Sequence, residues 1–384
     1  MTLRQRVASV DILRGAVMVL MAIDHVRVFA AVPAGGRAPS IFFTRWITHF
    51  CAPAFVFLAG TAVFLHARKL GDPSALTRFL LLRGAWLVLL ELTFLRLAWT
   101  FNLDYRHYVL AGVIWAIGWC LILMAGLVHL PLRALATIGA LVVVGHNLLD
   151  PLLPRLIPAA EASATPWLWR VLYLGPIAPG NGEGPFVVLY SLVPWIGVMA
   201  LGYAFGAILL MEPQRRRRLC LYLGLGALAA FVVLRATRVY GDPRPWNGND
   251  ALGFLNTNKY PASLQFLLMT LGPLITLVPA LERAQGWLAR TLEVFGRVPL
   301  FYYVLHIPLI HLAACLVSLL RAGRVDPWLF ANHPMMMPGA PEGYAWSLPL
   351  LYAVTAAVVV ILYFPCRWYG ALKARRHDAW LQLL

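Results

Sequence analysis

Residues 8–31 read ASVDILRGAVMVLMAIDHVRVFAA. The stretch is long and apolar enough to cross a bilayer as a helix, which takes about 20 residues. It also carries Asp11, Arg14, Asp24, His25 and Arg27. A charge at membrane depth costs about 2.5–3.5 kcal/mol even on the lenient insertion scale, so such residues face a bundle interior and mark a pathway or site. A cleaved signal peptide is the other reading of a basic start (Arg4, Arg6) before an apolar run. The charges inside the run, with no clean small-residue cleavage site after it, favour a retained first span.

The rest of the chain extends this reading. Hydrophobic residues make up 61% and charged residues only 12%. The mean hydropathy is +0.73. A soluble domain is nearer half apolar and a quarter charged, so the excess must face lipid. Further apolar runs cover 44–66, 79–99, 108–129, 131–149, 186–211, 219–236, 261–282, 298–320 and 348–369. Lipid-exposed backbone must satisfy its own hydrogen bonds, and the alternation of a membrane barrel is absent. The expected fold is an all-α polytopic membrane protein, a bundle of about ten transmembrane helices. It forms one membrane-embedded domain over 1–384, with a short cytoplasmic tail at 372–384.

The net charge of +16 does not point to nucleic acid. The basic residues sit in short clusters between apolar runs, as the positive-inside rule requires. Alternating the spans gathers Arg4 and Arg6, Arg68, Lys69 and Arg78, Arg133, Arg215 to Arg218, Arg283, Arg290 and Arg297, and the cluster Arg367 to Arg376 on one side. That side, with both termini, is expected to be cytoplasmic, in a bacterial-type inner membrane. The four consecutive arginines serve as a topology signal or as a site for lipid head groups. The outer loops 150–185, 237–260 and 321–347 are long and rich in Pro, Gly, Trp and Asn, including Gly180 to Pro185 and Pro243 to Asn249. Their Trp residues suit either a sugar or the membrane interface. Cys51, Cys120, Cys220, Cys315 and Cys366 lie in or beside apolar runs without a CxxC pair and read as packing residues.

Candidate site residues follow from the ionisable groups within the spans. At about 1.5 Å per residue, His25 and His49 fall roughly 8–9 Å to the outer side of the midplane, and Arg14 and Arg83 a similar distance to the inner side. A histidine beside a carboxylate can take a proton from a hydroxyl or amine, which makes His25, Asp24 and His49 the catalytic candidates. Guanidinium groups near the inner face can hold phosphates, which singles out Arg14 and Arg83, with Asp11 beside Arg14. Arg45, His306 and Tyr302 are the candidate substrate contacts. A buried histidine can equally hydrogen-bond a neighbouring helix. Arg14 and Arg83 can equally pair with Asp11 and Glu91, and Arg235, closing the seventh span, can snorkel outward. No Walker loop, GxSxG elbow or HExxH is present. His306 and His311 are five residues apart and share no helix face, so no metal site is expected.

These residues resemble a known family. Ser9-Val10-Asp11-Ile12-Leu13-Arg14-Gly15, then Met18 to Met21 and Asp24-His25, resembles the first span of the heparan-α-glucosaminide N-acetyltransferase catalytic-domain family. Ala52-Pro53-Ala54-Phe55-Val56-Phe57-Leu58-Ala59-Gly60-Thr61 resembles its second span, and Arg83, Gly112-Val113-Ile114 and Tyr302 to His306 are similar to later landmarks. The likeness is good over 6–125 and thin afterwards. The wider membrane acyltransferase superfamily, including acyltransferase type 3 proteins, also places an Arg before a histidine in the first span, as Arg14 and His25 stand here. The resemblance implies transfer from cytoplasmic acetyl-CoA or another acyl-CoA to an acceptor across the membrane, with His25 as base. A sugar or lipid-linked glycan is the expected acceptor, membrane lipids are expected neighbours, and a homodimer is left open. Animal lysosomal members have Asn at the His25 position and a His in the following loop. Loop 32–43 here has none, which favours His25 and then His49. Trp115-Ala116 replaces the family's Gln-Arg. The competing expectation is a transporter or flippase of a polar or glycolipid substrate.

Overall fold

The structure, a computed structural model, describes residues 8–36, 38–161, 166–175, 186–248, 250–332, 334 and 339–376. The loop motif at 180–185 and the tail beyond 376 lie outside these residues. Eleven helices are labelled here. They are α1 Ala8–Phe29; α2 Pro39–Leu70, which includes a 3₁₀ turn at Ile47–Phe50; α3 Pro73–Leu90, running on through a π turn at Glu91–Leu95 and a last segment Arg96–Thr100; and α4 Val113–Leu127. The chain continues with α5 Leu132–Pro158, which includes a 3₁₀ turn at His146–Leu152, α6 Leu192–Leu209, α7 Pro213–Thr237 and α8 Leu264–Leu281. The last three are α9 Trp287–Arg297, α10 Pro299–Ala322 and α11 Leu348–Arg375.

Every expected span holds one of these helices. Seven are long and apolar enough to cross a membrane by length and composition. The remaining three are α1 and α3, which carry charges along their length, and the shorter α4. The protein is an all-α polytopic membrane protein. Two details depart from the sequence reading. The first residues of expected spans 108–129 and 186–211 are not helical: Val109–Ala111 (β1) and Phe186–Val188 (β2) form a short parallel pair. Their helices start only after Gly112 and Ser191, which act as N-caps. The charged stretch 283–297, expected as a cytoplasmic loop, contains α9. Its Phe295 is buried while Trp287 and Leu288 are exposed.

The chain divides into two compact units. In the first (described residues 52–92 and 109–282), helices approach closely at small residues, as membrane helices do when no hydrophobic force drives them together. A Cβ on Gly60 would overlap the Met199 carbonyl, and one on Gly202 the Phe57 carbonyl, so α2 and α6 meet backbone to backbone. Thr61 Oγ1 donates to the Gly202 carbonyl across this contact (2.9 Å).

The α7 end of the same unit is organised by Arg235, which does not snorkel: it is 2% exposed. Its guanidinium donates to the carbonyls of Gly253 (2.8 Å), Phe254 (3.0 Å), Asn256 (3.0 Å) and Arg244 (3.1 Å) and to Gln265 Oε1 (3.2 Å). Asp242 Oδ2 lies 3.7 Å away. That carboxylate accepts from the backbone N–H groups of Arg244 and Asn258 and from Ser263 Oγ. A guanidinium presents five donors in a planar fork, which suits acceptors spread around it. The described residues between Arg244 and Gln265 thereby gather around one buried cation.

In the second unit (described residues 8–51, 93–108 and 283–376), α1 is the central element and packs on α9, α10 and α11. Gly15 and Gly296 let α1 and α9 touch: a Cβ on either would overlap the carbonyl of Leu292 or Asp11. At the other end of α1, Tyr344 Oη donates to the Phe29 carbonyl (3.1 Å) and the Trp346 N–H to that of Ala30 (3.0 Å). Arg96, fully buried, closes the last segment of α3 through the Tyr108 carbonyl (3.1 Å), Thr100 Oγ1 (2.9 Å) and the Asn102 carbonyl.

Candidate active site

Helix α1 runs through the second unit and presents His25, half-buried, in its C-terminal half. His25 Nδ1 lies 2.6 Å from His306 Nε2 of α10, with the two rings 22° from parallel. His306 is fully buried, and its Nδ1 lies 2.6 Å from the Tyr303 carbonyl of its own helix. Trp99 stands edge-on to His25 with ring centres 4.8 Å apart, and Tyr303 does so at 6.2 Å. Behind them Phe29 stacks on Trp99 and packs against His311, which lies flat on Phe101 at 3.8 Å. His311 Nδ1 lies 3.0 Å from the Ala98 carbonyl. A titratable ring is thus held by a second ring inside an aromatic wall built from α1, α10 and the end of α3.

Other sequence candidates fall as follows. Asp24 is next to His25 in sequence, yet its carboxylate is bound by Arg27 one turn on, at 3.0–3.1 Å, and Arg27 also donates to the Val32 carbonyl. The group at His25 Nδ1 is therefore a histidine from 281 residues away. His49 is buried in the 3₁₀ turn of α2. The following Cys51 Sγ reaches the Val17 carbonyl of α1 at 3.6 Å. Arg45 is half-buried one turn before His49. Tyr302 is fully buried, stacked on His306 at 5.5 Å, and its hydroxyl has no partner among the described residues. Both His306 nitrogens are taken up inside the protein, and neither His306 nor Tyr302 has exposed surface for a substrate.

Arg14 joins Asp11 at 3.4 Å and donates to the Gly296 carbonyl of α9 at 3.0 Å. Arg83 belongs to the first unit and is half-buried on α3. Glu91, about two turns further along and 1% exposed, caps α4: it accepts from the Ile114 N–H (3.0 Å) and the Trp115 N–H (3.2 Å). A Cβ on Gly112 would come within 2.7 Å of this carboxylate, so the glycine leaves room for it. Sequence reasoning had offered Glu91 only to Arg83. The available signal was that α4 starts without a Ser, Thr or Asp cap, so its first N–H groups need an acceptor from elsewhere. Among the described residues no cluster of His, Cys, Asp and Glu could hold a metal ion.

A family model described as heparan-alpha-glucosaminide N-acetyltransferase, catalytic, matches residues 6–236. The chain belongs to this family. The match covers α1 with Arg14, Asp24 and His25, and runs past residue 125, where the motif likeness had thinned, through α7. His306 and Tyr302 lie beyond it. Membership makes the protein a membrane enzyme of the acetyltransferase type. No curated protein sequence matches the chain.

Proposed function

We propose that the protein moves an acetyl or other short acyl group from cytoplasmic acyl-CoA to a hydroxyl or amine of a sugar or lipid-linked glycan on the outer side of a bacterial-type inner membrane. The observation that carries this reading is His25: a half-buried imidazole on the family's first span, held at Nδ1 by another ring and walled by Trp99 and Tyr303. In the reaction, His25 takes the proton of the acceptor amine or hydroxyl as the acceptor attacks the thioester carbonyl carbon. The new C–N or C–O bond forms, the C–S bond breaks, and the departing thiolate takes the proton back from the imidazolium. Asp24 and Arg27 form a neutral pair at the same end of α1, and Arg45 and His49 are further candidates for acceptor contacts. Purified protein incubated with acetyl-CoA labelled in the acetyl group tests the proposal. Label leaving CoA for an amino sugar or for water supports it, and label that stays on CoA while polar substrate crosses a membrane would establish a transporter instead.

The candidates for the CoA phosphates are Arg14, with Asp11 beside it, and Arg83. Each is tested on its own. A guanidinium gives planar two-pronged contact that Lys cannot reproduce. Charge-assisted hydrogen bonds are worth about 1.5–3 kcal/mol, so Arg14→Lys or Arg83→Lys is expected to weaken acetyl-CoA binding roughly tenfold to a hundredfold. For Arg14 the rival role is visible, since it ties α1 to the Gly296 carbonyl. Under that role the Lys variant melts earlier and binds acetyl-CoA normally. Calorimetric titration beside a melting curve separates the two.

Sidedness has its own test. A reporter active only outside the cytoplasm is expected to work when fused in loop 237–260. It is expected to be silent after Arg218 or at the C-terminus, because four consecutive arginines are rarely translocated. Activity after Arg218 would invert the arrangement.

A further inference from the structure

We infer that His306 is a positioning residue that fixes the tautomer of His25 and thereby selects Nε2 of His25 as the reactive nitrogen. The inference rests on the reading of His25 as the base. It starts from the Tyr303 carbonyl, which has lone pairs and no proton. At 2.6 Å from that oxygen, His306 Nδ1 must be the donor. A neutral imidazole carries one N–H, so His306 Nε2 holds a lone pair. His25 Nδ1 lies 2.6 Å from that lone pair and must in turn donate. The one proton of neutral His25 is then on Nδ1, and Nε2 is the proton acceptor. Reversing His306 would set its Nδ1 lone pair against the carbonyl lone pairs and its Nε2–H towards His25. Nδ1 of His25 would become the acceptor, buried against α10 and out of reach of any substrate.

Burial makes the arrangement firm. His306 is fully buried, flanked by Tyr302 at 5.5 Å and Tyr303 at 5.0 Å, so no water competes for either nitrogen. The backbone carbonyl belongs to α10 and is placed by that helix. The tautomer is thus written by main-chain geometry and passed through one ring to the next. When His25 takes a proton at Nε2, the Nδ1–H bond to His306 becomes charge-assisted, which roughly doubles its strength. A neutral imidazole thereby does the orienting work that a carboxylate does in other acid–base pairs, while the nearby carboxylate of Asp24 is held by Arg27.

The test uses the full-length chain and compares His306→Gln, His306→Asn and His306→Leu. The Gln amide oxygen reaches the position of Nε2 and can accept from His25. The shorter Asn reaches only the position of Nδ1, and Leu offers nothing. On the inference, the Asn and Leu variants lose about 10²-fold in kcat, the size expected when a reacting group is misplaced. KM for the acyl donor stays unchanged, and Gln restores most of the rate. Equal losses in all three variants, or none, would overturn it. A second readout needs no activity: nitrogen-15 NMR of histidine-labelled wild type, assigned with His25 and His306 variants. The inference requires a single Nδ1–H on both rings. An Nε2–H on His25, or a doubly protonated His306, would overturn it even if the variants misfold. Wild type without acyl transfer, but with both Nδ1–H signals in place, would instead remove the enzymatic reading and leave the tautomer assignment standing.

Discussion

His25→Asn is expected to lower the rate of acyl transfer by on the order of 10²–10⁴, the contribution of a positioned general base, and to leave the fold in place. The choice of Asn over Ala follows from the neighbourhood. Truncation to Ala would strand His306 Nε2, a buried acceptor, at a cost of about 1–3 kcal/mol. Inactivity could then reflect a loosened α1–α10 contact. The Asn amide can place an N–H where Nδ1 was, keeping that hydrogen bond, while nothing remains at the position of Nε2. Activity measured at saturating donor, together with a melting curve, gives the answer. Near-normal turnover in a folded variant would remove His25 from the reaction, and His49→Ala would be the next experiment.

The second large effect is on stability. Arg235→Met is expected to destabilise the protein by about 3–5 kcal/mol, the cost of breaking a buried ion pair by removing one partner. The side chain holds four backbone carbonyls and Gln265 Oε1, and its removal leaves Asp242 buried without the cation. Lys is not expected to rescue, because one ammonium cannot reach five acceptors spread around a plane. Adding Asp242→Leu to Arg235→Met is expected to recover part of the loss, since the uncompensated charge is then gone. Thermal unfolding in detergent reads all three. A shift within the roughly 0.5 kcal/mol of an ordinary surface substitution would mean that the loop does not depend on this arginine.

The helices were legible because each is an apolar run of the length a bilayer demands, and length and hydropathy are local properties. What was missed is non-local or masked by charge. Arg235 looks like a terminal cation free to snorkel; only the carbonyls of Arg244, Gly253, Phe254 and Asn256 folded around it show otherwise. Helix α9 mixes Arg290, Glu293 and Arg297 with Leu288 and Phe295, so a hydropathy window sees a polar loop. Glu91 was visible as a buried carboxylate, but its partners are backbone groups, which carry no sequence signature. In the site, His25 was singled out by its own span, and His306 by its own. Their contact, across 281 residues, needed the packing of α10 on α1. Asp24 is adjacent to His25 in sequence, and its carboxylate pairs with Arg27. Successive helix residues project about 100° apart, so adjacency is poor guidance to which side chain meets the ring.

Proteoliposomes offer the most direct trial of the central claim, that His25 drives acyl transfer through the membrane. Glucosamine is sealed inside, and acetyl-CoA with a labelled acetyl group is supplied only outside. Wild-type protein is expected to accumulate labelled N-acetylated sugar in the lumen, and His25→Asn protein in the same vesicles to accumulate none. Intact labelled acetyl-CoA outside, with unmodified sugar escaping at equal rates through both proteins, would contradict the account.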